Sequence, residues 1–95
     1  MIAETPTTRP TDVLYEVHDR VATITFNRPE AYNAYTTETL ARLHEAFRRA
    51  MWDDEVGVVV LTGAGETAFC TGGDVKEYAE RYVEHPQQFW KYMVL

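Results

Sequence analysis

Residues 61–78 read LTGAGETAFCTGGDVKEY, and the fold class follows from how this stretch is entered and left. It is entered from Val56-Gly57-Val58-Val59-Val60-Leu61, a continuous apolar run of the kind selected in a strand buried on both faces. Gly63-Ala64-Gly65 then makes a glycine-rich turn, and Ala68 to Gly73 leads into a stretch with helical spacing from about Val75 through Tyr82. Free N–H groups at a helix start carry partial positive charge. Gly72 and Gly73 let backbone approach a ligand closely, and Asp74 is placed to cap the helix. A carbonyl oxygen held there would be polarised. Taken alone, such a turn is common, and neither GxxxxGK[ST] nor GxGxxG is present, so phosphate-loop and dinucleotide readings are excluded.

Upstream, Val13 to Val17 and Val21 to Phe26 are dominated by β-branched and aromatic residues, with His18-Asp19-Arg20 between them. This pattern predicts an antiparallel hairpin. The second strand ends at Asn27-Arg28-Pro29, where proline biases Arg28 away from helix and opens a loop to about Tyr35. Thr36 is a candidate N-cap. Beyond it Leu40, Leu43, Ala46, Phe47 and Ala50 recur at helical spacing, with Arg42, Glu45, Arg48 and Arg49 mostly on the other side. Asp53-Asp54 close that helix. Strand, helix and strand in this order predict a parallel crossover of right-handed sense.

Residues 1–12, with Pro6, Pro10 and four threonines, have the composition of a flexible leader. At the other end, residues 86–95 are expected to form a further helix with Phe89, Trp90, Met93 and Val94 apolar. The chain stops on Met93-Val94-Leu95 without glycine, proline or a basic cap. Residues 13–95 are therefore expected to be the N-terminal part of a domain truncated at its C-terminus. A competing reading is a complete small α/β protein acting as a non-catalytic interaction module.

The 95-residue chain is 45% hydrophobic, which belongs to globular proteins, and carries a formal charge of −6. Its basic residues are scattered, with Arg48-Arg49 the adjacent pair, so no phosphate-tracking stripe exists and nucleic acid is excluded as a partner. The single cysteine, Cys70, cannot make an internal disulfide and is expected to act as a small core hydrophobe. No signal core or membrane span is visible, so the expected location is cytoplasmic. His18, His44 and His85 lack carboxylates at metal-ligand spacing and are expected on solvated surface, without a metal. Asp74 is expected as a cap rather than a general base, and Glu77 and Glu80 are expected to face water.

The stretch LTGAGETAFCTGGDVKEY resembles the diagnostic segment of the enoyl-CoA hydratase/isomerase (crotonase) family. NRPEAYNAYTTETL, residues 27–40, resembles that family's other N-terminal signature, NRP-x-x-x-NA. The resemblance covers about residues 13–95. It implies an α/β, ClpP/crotonase-like ββα spiral of which this chain holds the N-terminal portion. It implies an acyl-CoA thioester as substrate and no separate cofactor, the CoA being part of the substrate. The Gly73 N–H is implied as half of an oxyanion hole for the thioester carbonyl, a group worth about 3–4 kcal/mol to such a transition state.

Ala31, Tyr32, Ala34 and Thr71 match positions around the CoA adenine and pantetheine. Gly72 and Gly73 match the loop against the thioester, and Asp74, Val75 and Tyr78 match positions near the acyl pocket. Many family members carry a basic residue where Tyr32 stands, so a direct phosphate contact at 32 is not implied, though a tyrosine can pack on adenine. Family members assemble as homo-oligomers, commonly trimers or hexamers. Within the family, YNAYTTETL, AFRRA, FCTGGDVKEYAERY and HPQQFWKYM resemble the ring-opening 6-oxocyclohex-1-ene-1-carbonyl-CoA hydrolases. Those usually have asparagine where Asp74 stands, and the TGGD form is shared with dihydroxynaphthoyl-CoA synthases and ketocyclohexanecarboxyl-CoA hydrolases. Enoyl-CoA isomerisation or naphthoyl-CoA synthesis is the alternative chemistry, and the catalytic acids and bases are expected beyond Leu95.

Overall fold

The computed structural model describes residues 9–83 and 85–87. Strand β1, Val13–His18, pairs antiparallel with β2, Val21–Phe26, in the register Val13 opposite Phe26 and His18 opposite Val21. Only Asp19 and Arg20 form the turn, and both have positive φ, 50° and 68°, the conformation a two-residue hairpin needs to match strand twist. Helix α1, Thr37–Met51, follows. Its N-cap is Thr36, whose hydroxyl accepts from the Thr39 N–H at 3.1 Å while the Thr36 N–H donates to the Thr39 hydroxyl at 3.2 Å. This is a reciprocal box with threonine in the place glutamate usually takes.

Strand β3, Val58–Gly63, pairs parallel with β2, Val21 opposite Val58 and Phe26 opposite Gly63, giving the order β1-β2-β3. Helix α1 packs on β1 and β2. Alternate residues of β2, Ala22, Ile24 and Phe26, are buried together with Ala46 and Ala50 of α1. Full burial of a side chain such as Ile24 contributes about 1.5–3 kcal/mol.

The expected two-sided burial of the 56–61 run is corrected. Val58, Val59, Val60 and Leu61 are 57%, 38%, 41% and 36% exposed. The strand lies at the sheet edge, and the helix that links it to β2 covers the other two strands instead. The apolar face expected on α1 is likewise only partly covered, with Leu40 and Leu43 half-buried and Phe47 39% exposed.

The other expectations divide. Residues 9–12, read as the end of a flexible leader, carry defined structure: Pro10–Asp12 is a 3-10 turn, and Asp12 is 0% exposed. The Asp12 carbonyl accepts from Asn27 N–H at 2.8 Å, and Asn27 Nδ2 donates to Thr11 O at 2.9 Å, which ties the segment to the end of β2. Residues 1–8 lie outside the described residues. So do 88–95, and with them most of the expected final helix and the residues Phe89, Trp90, Tyr92, Met93 and Val94. His18, His44 and His85 are exposed, as expected, and Cys70 is half-buried.

Candidate functional site

The loop after β2 and the loop after β3 meet in a short parallel bridge between Tyr35 and Gly73. The Tyr35 N–H donates to Gly72 O at 2.9 Å and the Asp74 N–H donates to Tyr35 O at 2.8 Å. In extended chain, successive N–H groups point to opposite sides, so the N–H of Gly73 itself faces away from Tyr35. Among the described residues it has no hydrogen-bond partner. Gly72 adopts φ 108°, a torsion that disfavours any side chain, although a Cβ there would meet nothing within 4 Å. The glycine is thus required by backbone conformation rather than by crowding.

Gly63, at the end of β3, is required by crowding. A Cβ on it would lie 2.3 Å from Phe69 O and 2.8 Å from Asn33 Nδ2. The 64–69 loop therefore folds directly back over the strand end, and the Phe69 ring meets the buried Phe26 ring edge-on, centroids 5.6 Å apart. A shallow cleft of about 270 Å³ opens along Thr62–Phe69.

Asn33 joins the two loops. Its side-chain oxygen accepts from Arg28 N–H at 2.9 Å, and its Nδ2 donates to Ala64 O at 3.0 Å and Ala68 O at 2.8 Å. Tyr32 and Asn33 are both left-handed, φ 54° and 59°. Asparagine tolerates that region well, whereas tyrosine does so at a cost of about 1–2 kcal/mol. Tyr32 is 57% exposed and its carbonyl accepts from the Thr71 hydroxyl at 3.3 Å.

Asp74 is the N-cap of α2, Val75–Glu77, its Oδ1 accepting from Lys76 N–H at 2.9 Å and Glu77 N–H at 3.3 Å. The helical stretch expected through Tyr82 continues, but as a π turn over Tyr78–Tyr82 rather than as α-helix. Oδ2 of Asp74 faces Arg28, whose Nη1 and Nη2 both stand 3.2 Å away. Arg28 is 6% exposed, also donates to the Ala34 carbonyl, and places Nε 3.9 Å from Asp12 Oδ2. Asp12 is in turn paired with Arg9 at 3.0 Å, and Arg9 with Glu30 at 2.8 Å. Charges of alternating sign thus run from the surface at Glu30 to the carboxylate beside Gly73.

Every binding or catalytic residue named from sequence lies on these two loops or the helix they open. Ala31, Tyr32 and Ala34 stand across the bridge from Thr71, Gly72, Gly73 and Asp74, while Val75 is 74% exposed and Tyr78 half-buried. The parts not foreseen are polar and buried: Arg28, Asp12, Asn33 and Glu77. The expectation that Glu77 faces water is corrected. It is 4% exposed and accepts from Thr37 N–H and hydroxyl, because the α1 N-terminus supplies donors that a carboxylate can satisfy. Glu80 is half-buried with both carboxylate oxygens screened from solvent and without a hydrogen-bond partner among the described residues. It lies in the π turn, whose wider spacing shifts side chains off the α-helical face on which it was expected.

Among the described residues no group of three or more His, Cys, Asp or Glu is placed to hold a metal ion, and no helix is long and apolar enough to cross a membrane. A second cleft, of about 470 Å³ between β1 and α1, is lined by Tyr15, Glu38, Arg42 and Arg49 among others, and holds none of the binding or catalytic residues named from sequence.

The enoyl-CoA hydratase/isomerase family description matches residues 16–94. The chain belongs to that family. It is 50% identical over 74 residues to the 6-oxocyclohex-1-ene-1-carbonyl-CoA hydrolase of Geobacter metallireducens, a match covering 78% of this chain and 19% of that relative. Among solved structures it resembles EchA1_1 of Mycobacterium paratuberculosis, with TM-score 0.73 and 43% identity over 78% of this chain and 28% of that one. It also resembles the enoyl-CoA hydratase of Mycobacterium tuberculosis, with TM-score 0.69 and 40% identity over 73% of this chain and 31% of that one. The described residues form an N-terminal portion of the crotonase fold, and the chain spans about a fifth of the length of the curated relative it matches.

Proposed function

We propose that this crotonase-family chain supplies one oxyanion-hole donor, the Gly73 N–H, to the carbonyl of an acyl-CoA thioester. The observation that carries this reading is the bridge at Tyr35: it fixes Gly72 and Asp74 by hydrogen bonds and leaves the intervening Gly73 N–H turned away with no partner among the described residues. In a substrate with a C=C bond conjugated to the thioester, water adds at the β-carbon and the electron pair moves to the carbonyl oxygen. A donor already aimed at that oxygen stabilises the enolate without reorganising. A second N–H, and the carboxylates that deliver and remove protons, come in this reading from residues outside this chain.

The CoA portion lies along Ala31, Tyr32, Ala34 and Thr71, with the exposed Tyr32 ring available to the adenine face. Val75 and Tyr78, just past the bridge, lie toward the acyl group. The similarity to a 6-oxocyclohex-1-ene-1-carbonyl-CoA hydrolase favours a cyclic oxo-acyl thioester and ring opening after hydration. No cofactor apart from the CoA of the substrate is invoked, the protein acts in the cytoplasm, and the full-length protein is a homo-oligomer. This chain alone binds weakly and turns nothing over.

The test is amide NMR of the 95-residue chain titrated with crotonyl-CoA, a 6-oxocyclohexene thioester and free CoA. Both thioesters should shift the Gly73 amide, and free CoA should shift residues 31–34 while leaving Gly73 in place. A Gly73 amide that ignores both thioesters defeats the reading and leaves the interaction-module account standing.

A further inference from the structure

The Gly73 N–H is useful only if its direction is fixed, and the bridge that fixes it is a pair of hydrogen bonds on a surface loop. We propose that Arg28 is the positioning residue of this donor. Its buried guanidinium clamps both sides of the Tyr35–Gly73 bridge at once and offsets the negative charge of Asp74 beside the oxyanion site. The inference rests on the reading of Gly73 given above and deepens it.

On one side Arg28 donates to the Ala34 carbonyl, immediately before Tyr35, and on the other both terminal nitrogens reach Asp74 Oδ2 at 3.2 Å, immediately after Gly73. Arg28 is itself held, since its N–H donates to Asn33 Oδ1 at 2.9 Å and its carbonyl accepts from Asn33 N–H at 2.8 Å. The guanidinium reaches its acceptors from two nitrogens held in one rigid plane, Nη1 to Ala34 O and both Nη1 and Nη2 to Asp74 Oδ2; an ammonium offers its three donors from a single nitrogen on a flexible stem and cannot reproduce that spread. Asp74 divides its work correspondingly, one oxygen capping α2 and the other receiving Arg28.

The electrostatic part follows from position. An enolate forming at the Gly73 N–H would lie next to a carboxylate that is 7% exposed, and like charges repel strongly where water is excluded. The guanidinium against Asp74 cancels that field. Its other neighbour, Asp12 at 3.9 Å, stands farther off than Asp74 at 3.2 Å and has a nearer cation in Arg9 at 3.0 Å, whose second partner, Glu30, is exposed to solvent, so Arg28 acts mainly on Asp74.

Two variants test this on the 95-residue chain. Arg28→Lys keeps the charge and loses the fork. Asp74→Asn retains a capping residue but has one acceptor oxygen where the carboxylate has two, so it must choose between α2 and Arg28. In both, hydrogen exchange at the Tyr35 and Asp74 amides should quicken about tenfold or more, the loss expected for a charge-assisted contact, while the amides of β2 keep their protection. The thioester-induced shift at Gly73 should fall with it. Unchanged exchange at the bridge and an unchanged Gly73 response in either folded variant overturn the proposal. So does an equal loss of protection throughout β2 and α1, which marks general destabilisation. A native chain whose Gly73 ignores thioester, while Arg28→Lys still loosens the bridge, overturns the assignment through the failure of the proposed function and not of the geometry.

Discussion

The Glu77 carboxylate accepts from the backbone N–H of Thr37 at 2.9 Å and from its hydroxyl at 2.7 Å, so a side chain of α2 completes the first turn of α1. Thr37 is the first residue of a 15-residue helix, where backbone donors lack intrahelical partners and the dipole favours a negative charge. Glu77→Ala should therefore cost about 2–3 kcal/mol, and Glu77→Gln, which keeps an acceptor and loses the charge, about 1 kcal/mol. Urea unfolding measures both. A Glu77→Gln midpoint equal to that of the native chain would show that the charge contributes nothing.

Asp19 and Arg20 carry the hairpin at φ 50° and 68°. Neither is glycine, and the second position of this turn is the one that most favours it. Arg20→Gly should raise stability by about 0.5–1 kcal/mol, the left-handed penalty less the extra freedom gained by the unfolded chain. For a domain of this size that is a rise of a few degrees in Tm. A lower Tm would mean that the Arg20 side chain contributes more than the torsion costs.

How far the fold and site were legible in sequence depends on the kind of signal. The hairpin, α1 with its Thr36 cap, β3 and the glycine-rich turn each leave a local pattern, alternation, 3.6-residue spacing or an apolar run, and each is present, with β3 running Val58–Gly63, two residues later than the apolar run 56–61. The Arg28–Asp74 contact spans 46 residues and the Thr37–Glu77 contact spans 40. Neither side chain announces its partner by spacing, and the default that charged groups face water gave the wrong side for Glu77. The run Val58–Leu61 shows the converse limit. It reports that a strand suits a covered environment, not which residues cover it, and those described leave it at an edge.

That edge has a consequence for the isolated chain. Among the described residues β3 presents one unpaired row of backbone donors and acceptors, flanked by Val58, Val59, Val60 and Leu61 at 36–57% exposure. Exposed apolar edges pair with other copies unless charge interrupts them. Val58→Lys, at the most exposed of these positions, should reduce concentration-dependent association seen by light scattering while leaving the unfolding free energy within about 0.5 kcal/mol of the native chain's. Unaltered association would place self-pairing elsewhere.

Asn33 offers the sharpest separation of backbone from side-chain effects. Its side chain makes three hydrogen bonds, to Arg28 N–H, Ala64 O and Ala68 O, and its φ is 59°. Asn33→Ala loses the bonds and adds a left-handed penalty; Asn33→Gly loses the same bonds without that penalty. At roughly 1 kcal/mol per bond, Gly should cost about 3 kcal/mol and Ala about 1 kcal/mol more. Both should also release the 64–69 loop, because Asn33 is what ties it to the turn after β2, and Phe69 should then lose its edge-on contact with Phe26. The amide shifts of Ala64 and Ala68 and the ring shifts of Phe69 report that release. Loss of stability without movement at those positions would mean that the glycine turn is held by Gly63 and the strand end alone.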